Sequence, residues 1–135
     1  MKIGYAYVVA DMFHIGHLKH LQRCKTCCDK LIVGVLTDEA TMEKKLKPII
    51  SFEERREIIA SIRCVDEAIK QEIYSPLENV KRLKPDILFE STSHTDEAIA
   101  EARKLMKEIG GEVVISEYYN LQSSTKIKQK INENR

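Results

Sequence analysis

The chain has 135 residues, of which 43% are hydrophobic, 32% charged and 6% aromatic. Its length fits one domain, residues 1–135, and its net charge of +1 gives no reason to expect a nucleic-acid partner. No apolar run reaches the roughly 20 residues that a membrane span requires, and the start of the chain does not resemble a secretory signal. We therefore expect a cytoplasmic protein that binds neither nucleic acids nor membranes.

Short apolar runs of strand length alternate along the chain with helical patterns. Strands are predicted at 3–9, 31–36, 65–69, 86–89 and 113–116. Helices are predicted at 14–28, from a capping box at Ser51, from Pro76 to Pro85, at 96–109 and from Ser123. The polar stretch 38–50, which contains a lysine cluster, is predicted to be irregular. Continuous apolar strands are typical of a parallel sheet covered on both faces, so we predict a single doubly wound α/β domain, Rossmann-like in type.

A histidine turn, His14-Ile15-Gly16-His17, joins the first predicted strand to the first predicted helix. Free backbone N–H groups and the helix dipole make such a helix start a site for anions. Gly16 would let a phosphate approach the backbone closely, and the two imidazoles could donate hydrogen bonds to charge developing on phosphoryl oxygens. The turn therefore predicts nucleotide attack at phosphorus; the alternative is that both histidines only cap or pack the helix.

Several segments occur in the order and spacing of a known family. His14-x-Gly16-His17, Arg63-Cys64-Val65-Asp66-Glu67 and the segment 123–128 resemble the HxGH, RYVDE and ISTTxIK motifs of small cytidylyltransferases. Glycerol-3-phosphate cytidylyltransferases are the nearest members in length, and the resemblance covers about residues 3 to 132. It implies an HxGH nucleotidyltransferase domain that transfers CMP from CTP to a small phosphorylated alcohol and releases pyrophosphate. It also implies a homodimer in which the RYVDE-like segment forms the contact.

The resemblance further suggests roles for individual residues. Catalytic roles are implied for His14, His17 and Lys44. Nucleotide contacts are predicted for Val9, Ala10, Asp11, His14, Gly16, His17, Ser91, Ser123, Ser124 and Thr125. Acceptor contacts are predicted for Lys44, Arg63, Tyr74, His94 and Tyr118. Mg²⁺ is expected to accompany CTP, and no residue is predicted to be a metal ligand. Arg55 and Arg63 occupy positions near the family's dimer interface and active site; the alternative for either is a surface ion pair.

Three positions depart from the family pattern. Residues 8–11 read Val-Val-Ala-Asp where the family has Gly-Thr-Phe-Asp, and residues 91–94 read Ser-Thr-Ser-His where it often has Gly-Asp-Asp-Trp. Tyr118 replaces an arginine that would clamp phosphate in a bidentate manner. A changed acceptor, such as an alkylphosphonate, is the simplest interpretation. Its candidate contacts are Glu90, Ser91, Thr92, His94 and Tyr74. The alternative is a degenerate protein that binds nucleotides without catalysis.

The cysteines suggest a function of another class. Cys24, Cys27 and Cys28 lie within five residues, and Cys64 follows much later. His17, His20 and Cys24 share one helical face, with Cys27 and Cys28 one turn further, so these five residues could form a metal-binding module that holds Zn²⁺. Cys24-x-x-Cys27 could also be a redox pair. The spacing fits a core stripe of small hydrophobic residues equally well. Reduced thiols that pack in the core are the prediction we prefer.

Overall fold

The computed structural model describes residues 1–116 and 129–132 and consists of a parallel sheet with helices on both faces. The strands are β1 (Ile3–Val8), β2 (Lys30–Leu36), β3 (Glu67–Gln71), β4 (Ile87–Ser91) and β5 (Glu112–Ser116). The helices are α1 (Ile15–Thr26), α2 (Asp38–Met42), α3 (Phe52–Ala60), α4 (Leu77–Leu83) and α5 (Asp96–Glu108), and residues 129–132 are also helical. No helix in the described part of the chain is long and apolar enough to cross a membrane.

The strand order is β3-β2-β1-β4-β5, and every pair of neighbours is parallel. One face of the sheet packs against α1 and α3 through a cluster that includes Ala6, Leu21, Val33, Val35, Ile59 and Phe89. The other face packs against α4 and α5 through Tyr5, Ile32, Val80, Leu88, Ala102 and Met106. Successive strand residues alternate between the two clusters, as a sheet buried on both faces requires. The predicted doubly wound α/β class is confirmed.

The strand order reverses its direction at β1, which pairs with β2 on one side and with β4 on the other. In sheets of this kind a crevice opens beyond the carboxyl ends of the two strands at the reversal, and ligands bind there. We call this end of the sheet the carboxyl edge; the loops after β1, β2, β3 and β4 lie on it. The opposite end, where the strands begin, is the amino edge.

The observed elements differ from the predicted ones in three places. The stretch expected to be irregular contains α2, whose first turn is capped by Thr37: its Oγ1 accepts from the Ala40 N–H at 3.1 Å. The third strand runs over Glu67–Gln71 rather than 65–69, because Val65 packs into the core from the turn before it. β4 continues through Glu90 and Ser91, both of which are buried. The predicted start of the last helix at Ser123 lies outside the described residues.

Candidate active site

The turn between β1 and α1 has an unusual backbone. Ala10 and Met12 have φ angles of 58° and 53°, in the left-handed region that residues with a Cβ seldom occupy. Asp11 lies between them, is 3% exposed, and accepts hydrogen bonds from the N–H groups of Ile49 and Ile50, each at 3.0 Å. Strained turns persist only where surrounding contacts hold them. Asp11 therefore fastens the turn to the loop that precedes α3.

The Arg55 side chain also holds this turn in place. Its side chain is completely buried, and its guanidinium donates to the carbonyl oxygens of Val9, Leu36 and Ile50 at 2.7, 2.8 and 3.0 Å. It also pairs with the Asp38 carboxylate at 2.7 Å. One side chain thus joins the ends of β1 and β2 to α2 and to the loop before α3. The alternative of a surface ion pair at Arg55 is wrong.

The two histidines of the turn cap α1 reciprocally. His14 Nδ1 accepts from the backbone N–H of Gly16 at 2.9 Å, and His17 Nδ1 accepts from the backbone N–H of His14 at 3.2 Å. The two rings are tilted by 34° relative to each other, with centroids 4.0 Å apart, and Phe13 stacks on His17. Because both Nδ1 atoms are acceptors, each neutral ring carries its proton on Nε2. The capping alternative is therefore correct for the Nδ1 atom of each ring, and the Nε2 atoms take no part in the cap.

The electrostatic surroundings keep these imidazoles neutral. Burial lowers the pKa of His14, and it lowers that of His17 to about 3, with further contributions from the neighbouring rings of His14 and His20 and from Lys45. Asp11 opposes this shift in part. His14 Nε2 is covered from solvent and has no hydrogen-bond partner within residues 1–116 and 129–132. A neutral N–H donor of this kind, buried and without a protein acceptor among the described residues, suits a ligand rich in acceptor atoms, such as a phosphate.

The buried His17 should make the protein sensitive to acid. Below pH 6.5 the unfolded chain binds a proton at this histidine, whereas the folded chain binds it only near pH 3. The stability that the neutral ring provides is therefore complete above pH 6.5 and is lost as the pH falls toward 3, by up to about 1.4 kcal/mol per pH unit. Urea unfolding at several pH values should show this loss in the native chain and a shallower slope in His17→Gln. Parallel slopes in the two proteins would contradict the assignment.

A second polar group lies where β4 ends. Glu90 is 1% exposed, and the Tyr7 hydroxyl donates to its Oε2 at 2.8 Å. His94 Nδ1 contacts the same oxygen, and the His94 ring stacks on Tyr7 with centroids 5.3 Å apart. Burial and the Glu90 charge raise the pKa of Tyr7 far above its usual range, so the phenol keeps its proton. Glu90 is thus an internal partner of His94, and its buried position argues against the predicted direct contact with an acceptor.

A third group lies beside the ends of β2 and β3. The Lys44 ammonium stands 5.4 Å from the centroid of the Tyr74 ring, and the Tyr74 N–H donates to the Glu43 carboxylate at 2.9 Å. Lys44 and Tyr74, which were both predicted to contact the acceptor, therefore lie next to each other. Lys45, the next residue, lies close enough to His17 for its charge to lower the pKa of that ring. The sequence did not predict this proximity.

The carboxyl edge contains most of the predicted site residues within the described ranges. They are Val9, Ala10, Asp11, His14, Gly16, His17, Lys44, Tyr74, Ser91 and His94. Arg63 is exposed and precedes β3 at the amino edge, so the structure does not bring it to this group. Tyr118, Ser123, Ser124 and Thr125 lie outside the described residues. The individual binding roles stay predictions.

The cysteines do not form a metal or redox centre within the described ranges. Cys24 is 1% exposed in the core, and Cys28 and Cys64 pack against the same cluster. Burial raises the pKa of all three thiols, so they stay protonated and are poor ligands and nucleophiles. No group of three or more His, Cys, Asp or Glu residues suited to a metal ion occurs among residues 1–116 and 129–132. The structure favours core packing, as preferred from the sequence.

A doubly wound sheet with paired imidazoles at the start of α1 defines the class of HxGH nucleotidyltransferases. Residues 7–130 match the family model described as cytidylyltransferase-like, and the chain belongs to that family. It is 33% identical over 125 residues to the bifunctional protein HldE of Pelobacter propionicus, covering 91% of this chain and 25% of that protein. The HldE protein of Paramagnetospirillum magneticum is 33% identical over 135 residues, 98% of this chain and 28% of that one. The chain therefore spans about a quarter of the length of these curated relatives.

Solved structures show the same architecture. A lipopolysaccharide core biosynthesis protein from Thermoplasma volcanium superposes with a TM-score of 0.76 at 28% identity, covering 90% of this chain and 99% of that one. A pantoate-beta-alanine ligase from Francisella tularensis gives a TM-score of 0.63 at 15% identity, covering 98% of this chain and 70% of that one, which shows a common fold alone.

Proposed function

We propose that this chain transfers CMP from CTP to the phosphate of a small phosphorylated polyol and releases pyrophosphate. The observation that carries the proposal is the pair of neutral imidazoles, His14 and His17, whose Nδ1 atoms are both occupied by α1 backbone donors. Their Nε2–H groups remain for phosphate oxygens at the switch point of the sheet. The membership of the cytidylyltransferase-like family supports CTP as the nucleotide.

The proposed reaction is a single displacement at the α-phosphorus. An oxygen of the acceptor phosphate forms a bond to this phosphorus as the bond to the β-phosphate oxygen breaks, and the electron pair leaves with pyrophosphate. No base is needed, because the attacking phosphate oxygen is already ionised. His14 and His17 donate to the oxygens on which negative charge accumulates, and as neutral groups with fixed rings they need little reorganisation.

In this proposal the acceptor binds beside Lys44 and Tyr74. The Lys44 ammonium is exposed and lies at the carboxyl edge, where it can neutralise the acceptor's phosphate, while the ring of Tyr74 limits the width of the space next to it. The similarity to a lipopolysaccharide core biosynthesis protein favours a phosphorylated sugar within the polyol class. Lys45 lies close enough to His17 for its charge to lower the pKa of that ring, so it is suited to contact the triphosphate.

Mg²⁺ enters this proposal only as the ion bound to the triphosphate. The two buried carboxylates nearest the site are engaged inside the protein: Asp11 by two backbone N–H groups and Glu90 by Tyr7 and His94. Residues 1–116 and 129–132 hold no cluster of metal-ligand type. The described residues therefore do not fit a protein-held metal, and we assign no step to one. The proposed assembly is a homodimer, which the resemblance of residues 63–67 to the family's RYVDE contact segment supports.

Pyrophosphate release tests the function directly. The purified chain should be assayed with Mg²⁺ and each of the four nucleoside triphosphates against glycerol 3-phosphate, a sugar phosphate, phosphocholine, phosphoethanolamine, and hydroxyethyl- and aminoethylphosphonate. We expect turnover with CTP and a phosphorylated polyol. Turnover with a phosphonate alone would contradict the acceptor class, and preference for another triphosphate would contradict the nucleotide. Nucleotide binding without turnover across the panel would favour the degenerate binding protein.

A further inference from the structure

Gln71, the last residue of β3, is a buried polar side chain outside the histidine turn and outside the pair formed by Lys44 and Tyr74. It is 2% exposed. Its Nε2 donates to the carbonyl oxygens of Ile73 and Tyr74, at 3.2 and 3.1 Å, in the loop between β3 and α4. Buried amide hydrogens need acceptors, and these two carbonyls supply them. Gln71 therefore holds the loop in the bend that brings Tyr74 to Lys44.

The orientation of the Gln71 amide follows from its contact with Tyr5. The Tyr5 hydroxyl accepts from Asn79 Nδ2 at 2.9 Å and donates its single proton to Gln71 Oε1. Burial raises the pKa of Tyr5 to about 12, so the phenol keeps this proton at neutral pH. A flipped amide would set its oxygen against two carbonyl oxygens. The buried network therefore has one self-consistent arrangement, in which both Nε2 hydrogens of Gln71 serve the loop.

Gly34, on the neighbouring strand β2, leaves the space that this network occupies. A Cβ at this position would lie 1.9 Å from the Tyr5 hydroxyl oxygen and 2.8 Å from Gln71 Oε1. Both distances are shorter than a side-chain carbon can adopt. A glycine in the middle of an otherwise apolar, buried strand is thus explained by the close approach of Tyr5 and Gln71.

Tyr74 is held at both of its backbone groups. Its carbonyl accepts from Gln71, and its N–H donates to the Glu43 carboxylate at 2.9 Å. Glu43 is the C-cap residue of α2 and immediately precedes Lys44. The Gln71 carbonyl accepts from the N–H of Thr37, the N-cap residue of α2, at 3.0 Å. The end of β3 and the loop after it are therefore joined to α2 at both ends of that helix.

We propose that Gln71 is a positioning residue for the acceptor: it fixes the Tyr74 ring against the Lys44 ammonium and so sets the width of the space in which the acceptor binds. This inference rests on the proposed function. A wall that is held in advance does not have to be ordered when the acceptor binds, which lowers the free-energy cost of binding. The effect of Gln71 falls on acceptor binding rather than on the chemical step, because its side-chain contacts are with the loop and with Tyr5.

The position of the Tyr74 ring can be measured without any substrate. Fluorine NMR of the chain labelled with 3-fluorotyrosine, with the Tyr74 signal assigned by Tyr74→Phe, reports the surroundings of this ring. We expect Gln71→Met to move the Tyr74 signal toward that of an unfolded tyrosine, because methionine cannot donate to the loop carbonyls. Gln71→Glu keeps the bond from Tyr5 but as a carboxylate cannot donate either, and it should give the same displacement at pH 8. An unchanged Tyr74 signal in either folded variant would overturn the proposal.

Glu43 and Glu39 supply a matched pair at α2. Both are exposed, so replacing either with alanine puts folding at little risk. Glu43→Ala releases the N–H of Tyr74 and should move the Tyr74 signal in the same direction as the Gln71 variants. Glu39→Ala makes the same chemical change and should leave the signal in place. Equal displacement in the two alanine variants would contradict a specific hold on the Tyr74 loop.

Steady-state kinetics then connect the ring to the acceptor. With the most active acceptor of the pyrophosphate-release panel, Gln71→Met should raise the KM for that acceptor about five- to tenfold and keep kcat and the KM for CTP within about twofold. An unchanged acceptor KM, or equal changes in all three constants, would refute the positioning role of Gln71 and leave the proposed function intact. Absence of turnover by the native chain with every acceptor would instead refute the proposed function.

Discussion

Replacing His17 with glutamine is expected to lower kcat for nucleotidyl transfer by about 10²–10³-fold while changing the affinity for CTP much less. In the proposed reaction the imidazole Nε2–H donates to charge that develops in the transition state, and the loss of one such donor reduces kcat by about this factor. The KM for CTP should stay within a few-fold, because the proposed triphosphate contacts of the first turn of α1 and of the His14 ring are retained. Steady-state kinetics with saturating acceptor separate the two effects.

Glutamine is the informative substitution because His17 caps α1 in addition to its proposed catalytic role. Its Nδ1 accepts from the backbone N–H of His14 as the third residue of α1, and glutamine makes the same reciprocal bond in ordinary capping boxes. The thermal midpoint at pH 7.5 should therefore be nearly unchanged. His20→Gln makes the same chemical change one turn along α1, at a ring whose Nε2 lies 3.9 Å from Cys24 Sγ, and should keep kcat within about threefold. Equal losses in the two variants would contradict a catalytic role for His17.

The sequence predicted the features of this protein that depend on local pattern. Apolar runs alternating with helical periodicity gave the doubly wound class, and the spacing of His14 and His17 after a strand gave the histidine turn. The start of β3 and the end of β4 differ from the prediction because one residue at each boundary has a side chain of the opposite polarity to that expected there. Val65 is apolar yet lies before β3, and Glu90 is charged yet lies within β4.

The surroundings of Glu90 and His94 could not be predicted from sequence, since they depend on contacts between distant segments. Glu90 and His94 are only four residues apart, but the group they form also includes Tyr7, from the first strand, whose hydroxyl donates to the same carboxylate. The sequence placed Glu90 among acceptor contacts because a carboxylate in a polar segment usually faces solvent. Its burial is fixed by the pairing of β1 with β4, which residue order alone does not reveal.

Arg55→Met is expected to be the most destabilising single substitution predicted here, with a loss of about 3–5 kcal/mol in the free energy of unfolding. The fully buried guanidinium satisfies the carbonyl oxygens of Val9, Leu36 and Ile50 and neutralises Asp38. Methionine fills similar space but leaves these acceptors unpaired, and each such loss is costly inside a protein. Arg55→Lys should be intermediate, because an ammonium keeps the charge but lacks the planar fork that serves all four partners.

The neighbouring Arg56 supplies a matched control for this prediction. It lies on the exposed face of the same helix, so Arg56→Met removes the same charge and adds the same side chain with a change of at most about 0.5 kcal/mol. Urea unfolding of the native chain and of the three variants at pH 7.5 compares their free energies of unfolding directly. Equal midpoints for Arg55→Met and Arg56→Met would show that the buried contacts contribute nothing.

Arg55 also binds the carbonyl of Val9, next to the strained Ala10. A folded Arg55 variant should therefore lose activity at temperatures well below its thermal midpoint. The same residue is thus expected to stabilise the domain and to hold the turn that carries His14 and His17, the proposed phosphate-binding residues.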